Sequence, residues 1–136
     1  METTVYREIA QRVQAMKNCE KSGNDEWCSK HSDALDNLEG YLPSGSGLDS
    51  GTGIDKDRTT PNKIVLESTY HCMNENGMYD GWIDFDVIVT PSFNEIDLDI
   101  KGFFSQRHYK YANIKDYLYE IFDTALTHKI DTDDFS

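Results

Sequence analysis

The hydrophobic residues of this chain follow a helical period first and a strand period later. Residues 3–18 have an apolar residue at every third or fourth position, which predicts an amphipathic helix with a stripe formed by Val5, Ile9, Val13 and Met16. Ser22-Gly23-Asn24 interrupts this pattern and supplies a cap for a second helix over residues 25–39. Residues 1–39 are therefore predicted to form a helical N-terminal part.

Residues 63–104 alternate between apolar and polar side chains, which predicts an antiparallel sheet. The turn sequences Asn74–Gly77 and Pro91–Asn94 divide this region into a three-stranded meander, with strands at about 64–72, 82–90 and 95–104. A helical stripe predicts a C-terminal helix over residues 113–127, and an acidic tail follows at 131–136. The predicted fold is a single α+β domain, 1–136, with the C-terminal helix packed on one sheet face.

Residues 40–62 are rich in Gly, Ser and Pro and are predicted to form a long loop over the sheet. This loop contains Asp49-Ser50-Gly51-Thr52, the pattern of an aspartic-protease half-site. That chemistry needs two such loops held between strands so that their carboxylates share a proton, and the Gly- and Ser-rich flanks predict no supporting strand. A phosphate-binding loop is not indicated either, because the Gly-Lys-Ser/Thr ending of that motif is missing.

The net charge restricts the classes of partner. The 136-residue chain carries a formal charge of −12 at pH 7. This charge repels nucleic acid and anionic membranes, so we expect no direct nucleic-acid binding and no membrane association, and a partner is expected to present a basic surface. Three cysteines, an odd number, together with an N-terminus that does not resemble a secretion signal, predict reduced thiols and a cytoplasmic location.

Two cysteines and two histidines provide the ligand types of a zinc site: Cys28, His31, His71 and Cys72. Cys28 and His31 are three positions apart and share a helix face, whereas His71 and Cys72 are strand neighbours that point to opposite sides of the sheet. Only one of the latter pair can face the helix, so the set lacks a ligand. We therefore predict no metal and no other cofactor, and keep zinc on Cys28, His31 and one of His71 or Cys72 as an open alternative.

An acidic strip follows the second and third predicted strands. Residues 80–100 contain six acids and no Lys or Arg, and the acids are Asp80, Asp84, Asp86, Glu95, Asp97 and Asp99. A four-residue turn at 91–94 gives the pairs 89/96, 87/98 and 85/100, in which apolar residues face apolar residues. The same register places Asp86 opposite Asp99, Asp84 opposite Lys101, and Asp97 opposite Ile88. Like charges directly opposite each other destabilise a sheet, so folding alone would not select the Asp86–Asp99 pair.

Three interpretations of the strip compete. In the first, the acids are solvated and Lys101 offsets part of the repulsion. In the second, they bind a divalent metal, although residues on a flat sheet cannot easily surround an ion. In the third, they bind a basic groove of a partner, where the carboxylates take the place of phosphates. The rival to all three is a ligand- or metal-binding protein or enzyme that uses the 40–62 loop as a lid over a pocket. Its site residues would be Asp49, Ser50, Thr52, His71, Tyr79 and Trp82. No residue is assigned a catalytic role.

Three segments resemble a group of small, mostly uncharacterised proteins of phages, plasmids and bacterial genomes. They are Leu42–Thr52 (LPSGSGLDSGT), Tyr79–Ser92 (YDGWIDFDVIVTPS) and Ile114–Leu118 (IKDYL), and the similarity spans roughly residues 42–126. The resemblance implies a mobile-element setting, in which small acidic proteins block nucleic-acid-handling defence enzymes. The expectation is an inhibitor in the host cytoplasm whose acidic strip binds a basic surface of a restriction or CRISPR effector.

Overall fold

Three helices and a four-stranded antiparallel sheet form the α+β fold of the computed structural model. The structure describes residues 2–42, 48–73, 79–90, 92, 94–105 and 111–131, without the side chains of 48–51, 72–73, 79–80, 104–105 and 111–114. The elements in chain order are β1 (Glu2–Thr4), α1 (Val5–Ser22), α2 (Asp25–Glu39), β2 (Leu48–Ile54), β3 (Ile64–Met73), β4 (Tyr79–Val89), β5 (Ile96–Ser105), α3 (Tyr111–Thr127) and β6 (Lys129–Asp131).

The junction of α1 and α2 is formed as the sequence predicts. Gly23 ends α1 with a φ of 74°, a left-handed conformation that favours glycine, and its N–H donates to Cys19 O at 3.0 Å. Asn24 caps the N-terminus of α2, because its side-chain oxygen accepts a hydrogen bond from the backbone N–H of Trp27. The first helix continues to Ser22 instead of ending at 18, because nothing before Gly23 interrupts the helical backbone.

The sheet has four strands in the order β2-β3-β4-β5, so the prediction of a three-stranded meander preceded by a 40–62 loop is wrong in part. Leu48–Ile54 lies within the predicted loop and pairs with β3. Its glycines weaken strand propensity, but long-range contacts compensate: Thr52 and Ile54 point into the core, and Glu39 Oε1 accepts the Ile54 N–H at 3.0 Å. Residues 43–47 lie outside the described part of the chain.

The predicted register of the β4–β5 hairpin is confirmed at most positions. Val89 pairs with Ile96, Val87 with Leu98, Phe85 with Ile100, Asp86 with Asp99, and Ile88 with Asp97. The predicted pair of Asp84 with Lys101 is wrong, because a register shift between Asp84 and Phe85 makes Lys101 an extra residue and places Asp84 opposite Gly102. The predicted turn at 74–77, and positions 91 and 93 of the second turn, lie outside the described residues.

The hydrophobic core lies between the helices and one face of the sheet. Phe122 of α3 packs edge-on against Phe85 of β4, with ring centroids 5.8 Å apart, as expected for a C-terminal helix packed on one sheet face. Tyr6 of α1 is fully buried and donates its hydroxyl hydrogen to the Phe122 carbonyl at 2.8 Å, which links α1 to α3. The alternating residues Leu66, Phe85 and Leu98 face this core.

A two-stranded antiparallel sheet joins β1 to β6, with Thr3 opposite Ile130. The predicted acidic tail at 131–136 therefore begins inside a strand, at Asp131, and residues 132–136 lie outside the described range. Among the residues that the structure describes, the helices include none with the length and hydrophobicity required to cross a membrane.

Candidate partner-binding face of the sheet

The sheet face that points away from the helices carries the candidate site, and we call it the open face. Because side chains alternate along a strand, the residues between the core positions of β3, β4 and β5 emerge here. The row Glu67, Asp86 and Asp99 crosses three neighbouring strands in register. A cleft of about 450 Å³ lies over Glu67 and Asp86 of this row and is lined by Gly53, Arg58, Glu67, Ser68, Thr69, Asp84, Phe85, Asp86 and Lys101.

Asp86 is the centre of an ion-pair network, so the interpretation of the acids as solvated, one of the three considered, does not hold for this residue. Its side chain is 5% exposed, and its Oδ2 accepts hydrogen bonds from Arg58 Nη1 at 2.8 Å and lies 3.3 Å from Lys101 Nζ. Arg58 also pairs with Asp55 and Glu67. Burial alone would raise the pKa of Asp86, but the bonds from Arg58 and Lys101 hold that pKa below its usual value. The opposed Asp86–Asp99 pair is thus compensated by two cations.

The β-bulge explains how Lys101 reaches this network. As the extra residue of the bulge, Lys101 places its amine 2.9 Å from Asp99 and 3.3 Å from Asp86. Lys101 lies close enough to offset repulsion on the strip, as one of the three interpretations expected, but its partners are Asp86 and Asp99 and not Asp84. Arg58, the second cation, could not be found by hairpin register because it belongs to a segment that precedes the hairpin by more than 20 residues.

The other predicted acids do not form a continuous strip. Asp84 lies on the open face and accepts a hydrogen bond from Thr69 Oγ1 at 2.7 Å. Asp97 is exposed but accepts the hydroxyl of Tyr119 at 2.8 Å, beside the edge of β5. Glu95 is exposed in the β4–β5 connection, where its carbonyl accepts the N–H of Thr90. Asp80 belongs to β4, and its side chain lies outside the described set.

The residues of the alternative ligand pocket are not brought together as one set. Thr52 is buried on the helix side of the sheet, where its hydroxyl lies 3.2 Å from that of Ser68. His71 and Trp82 are opposite each other on the open face, so the sheet separates them from Thr52. For Asp49, Ser50 and Tyr79 the structure describes the backbone strand but not the side chain. The predicted grouping is therefore wrong for Thr52.

The zinc alternative fails for the side chains that the structure describes. Cys28 and His31 belong to α2, on the core side of the sheet, whereas His71 points to the opposite side. No cluster of three potential metal ligands occurs among the described residues, and the Cys72 side chain lies outside them. Burial and the neighbouring Arg12 lower the pKa of His31, whose Nδ1 lies 3.3 Å from Arg12 Nη1.

Comparison of this chain with protein-family models, with curated proteins and with solved structures gives no match.

The charges of the open face move the pKa values of Asp86 and Lys101 away from the range in which a general acid or base works at neutral pH. The described residues of this region include five carboxylates and two cations, which leaves a surplus of three negative charges: Asp55, Glu67, Asp84, Asp86 and Asp99 against Arg58 and Lys101. A general acid or base works best with a pKa near the operating pH. Here the pKa of Asp86 is lowered, and the hydrogen bonds that Lys101 donates to Asp99 and Asp86 raise the pKa of Lys101, so both pKa values move away from pH 7.

Proposed function

We propose that this protein acts by binding, and that its open face inhibits a basic, nucleic-acid-handling host protein by occupying the surface where that protein holds nucleic acid. The observation that carries the proposal is the pair of exposed acids at the ends of the row Glu67–Asp86–Asp99, on the sheet face opposite the helices that the structure describes. The side chains of Glu67 and Asp99 are 63% and 53% exposed at the two ends of this row. An excess of negative charge at an exposed face attracts a basic surface and speeds association with it.

The structure changes which acids we assign to partner contact. Asp86 is buried and neutralised by Arg58 and Lys101, so we assign it the role of holding the face together. Glu67, Asp84 and Asp99 remain as the acids of the open face that a partner can reach, and Asp97 lies near the edge. A restriction or CRISPR effector, which presents a basic groove to nucleic acid, remains our proposed class of partner.

The cleft is the observation that favours a second candidate, a small-ligand site. A volume of about 450 Å³ falls within the range of ligand pockets. A thermal-shift panel of nucleotides and divalent ions distinguishes the candidates, because a ligand at 100 times its Kd stabilises its protein by about 2.7 kcal/mol. A stabilised complex at ligand excess would favour this candidate over partner binding.

Affinity capture from bacterial lysate, followed by elution with rising salt, tests the proposal. The face variant Glu67→Gln/Asp84→Asn/Asp99→Asn removes three negative charges from the open face. The control variant Glu20→Gln/Asp33→Asn/Asp36→Asn removes three exposed charges from α1 and α2. Both variants have the same net charge, −9 instead of −12.

We expect the parent and the control variant to retain the same nucleic-acid-binding protein and to release it as the ionic strength rises, because salt screens exposed charges. The face variant should not retain it. Equal retention by the two variants would contradict the assignment of the open face, and retention of no nucleic-acid-binding protein would contradict the proposed function.

A further inference from the structure

Trp82 and Asp84 place an aromatic ring beside a carboxylate on the open face. They are two positions apart on β4, so their side chains emerge on the same side, about 7 Å from each other along the strand. The six-membered ring of Trp82 lies over Gly102 of β5: a Cβ at position 102 would be 2.9 Å from Trp82 Cζ3 and 3.2 Å from Cη2. The missing side chain of Gly102 therefore allows the ring to lie low across β5.

Asp84 differs from its neighbours in its partners. Asp86, Glu67 and Asp99 each contact Arg58 or Lys101, whereas in the described part of the chain Asp84 contacts no cation. The hydroxyl of Thr69 donates to Asp84 Oδ1 at 2.7 Å, which orients the carboxylate, and Oδ2 is left for another donor. The carboxylate is thus positioned but not neutralised.

The open face already holds two cations, Arg58 and Lys101, and Arg58 contacts more carboxylates than Lys101 does. Its guanidinium reaches three carboxylates at once, those of Asp55, Asp86 and Glu67. A guanidinium is planar, forks onto carboxylate oxygens, and also stacks on aromatic rings, whereas a lysine ammonium is a compact charge without that geometry. Cations bind tryptophan, the best of the aromatic residues for this contact, within about 6 Å of the ring centroid.

We propose that Trp82 and Asp84 form the receptor for an arginine side chain of the partner, with the guanidinium stacked on the indole and hydrogen-bonded to the Asp84 carboxylate. The proposal rests on the proposed function, because it names the side chain through which the basic partner is recognised. The negative surplus of the open face supplies the long-range attraction, and the ring and the oriented carboxylate supply the preference for arginine over lysine.

The test uses tryptophan fluorescence with a hexa-arginine peptide as the probe. The chain has two tryptophans, and Trp27 is 50% exposed on α2, so the full-length Trp27→Phe protein leaves Trp82 as the reporter. Hexa-arginine should change the emission of Trp82 saturably and bind about three- to thirtyfold more tightly than hexa-lysine, which carries the same charge.

Three variants in this background separate the receptor from general electrostatics. Asp84→Asn should weaken hexa-arginine binding about tenfold, whereas Asp99→Asn, the same charge change at another point of the face, should weaken it less than about twofold. Gly102→Ala keeps every charge but displaces the Trp82 ring, and we expect it to weaken binding several-fold. Circular dichroism and thermal melting verify that each variant is folded.

Two results would overturn the receptor. One is equal binding of hexa-arginine and hexa-lysine with equal losses in Asp84→Asn and Asp99→Asn, and the other is no saturable change at Trp82. Either result can occur while the capture experiment still retains a partner on the open face, in which case the proposed function stands without this receptor. If capture fails but hexa-arginine binds through Trp82 and Asp84, the receptor stands and the proposed function falls.

Discussion

Replacing Asp86 by Asn tests whether Asp86 is a buried acid that stabilises the fold or an acid that is exposed to solvent. In a fully buried ion pair, loss of one partner costs about 3–5 kcal/mol. Arg58 and Lys101, however, are 44% and 51% exposed, so solvent can take over part of their stabilisation. The Asn oxygen can still accept one hydrogen bond from Arg58. We therefore expect Asp86→Asn to lower the free energy of unfolding by about 1.5–2.5 kcal/mol, close to the contribution of one hydrogen bond to a charged group.

Asp99→Asn is the matched control, because Asp99 faces Asp86 and contacts the same lysine but is 53% exposed. Loss of its surface ion pair and relief of the repulsion from Asp86 are each about 0–1 kcal/mol and of opposite sign. The control should therefore lie within about 0.5 kcal/mol of the parent. Urea unfolding at pH 7 with an unchanged m-value gives both numbers.

The pH dependence of the free energy of unfolding gives a second test of the role of Asp86. Folding lowers the pKa of Asp86, so its contribution is present above the usual carboxyl pKa of about 4 and is lost as the pH falls through the lower folded pKa. The difference between the parent and Asp86→Asn should shrink in that acidic range. Equal stabilities of Asp86→Asn and Asp99→Asn at pH 7, or a more stable Asp86→Asn, would refute the network described here.

Three further changes test the helical layer. Tyr6→Phe removes the hydrogen bond to the Phe122 carbonyl and should cost about 0.5–1.5 kcal/mol in urea unfolding; an unchanged midpoint would contradict that bond. Burial and Arg12 lower the pKa of His31 in the folded protein, so below pH 6.5 the unfolded chain binds more protons and the parent loses stability. His31→Gln should reduce that loss, and a variant with the same pH profile of stability as the parent would refute this. Gly23→Ala should lower the free energy of unfolding by about 1 kcal/mol, because the φ of 74° at Gly23 strains any residue with a Cβ even though no atom would clash with it. An unchanged free energy of unfolding would argue against the left-handed cap.

The pattern of apolar and polar residues predicted correctly those elements whose structure depends mainly on which face of the segment is buried. The period of apolar residues predicted α1, α2 and the three long strands, and apolar matching predicted the register from Val89–Ile96 to Phe85–Ile100. That register follows from the requirement that one face of each strand be buried, since a slip by one residue would expose every apolar side chain. For the same reason the opposition of Asp86 and Asp99 was correctly predicted.

The parts that sequence pattern missed depend on long-range contacts. β2 has a glycine-rich sequence and is held by pairing with β3 and by Glu39, neither of which is visible within its own seven residues. The burial of Asp86 depends on Arg58, which is distant in sequence, and the bulge at Lys101 shifts the pairing of Asp84 to Gly102. In each case tertiary contact overrides the local prediction.

Competition for the captured partner tests the central claim most directly. The partner's nucleic acid is labelled, the complex is formed at low salt, and displacement of the label is followed by fluorescence anisotropy as this protein is added. We predict displacement by the parent and by the helix control Glu20→Gln/Asp33→Asn/Asp36→Asn, and little displacement by Glu67→Gln/Asp84→Asn/Asp99→Asn. Displacement by all three proteins alike, or formation of a ternary complex in which the label stays bound, would contradict the claim that the open face occupies the nucleic-acid surface of its partner.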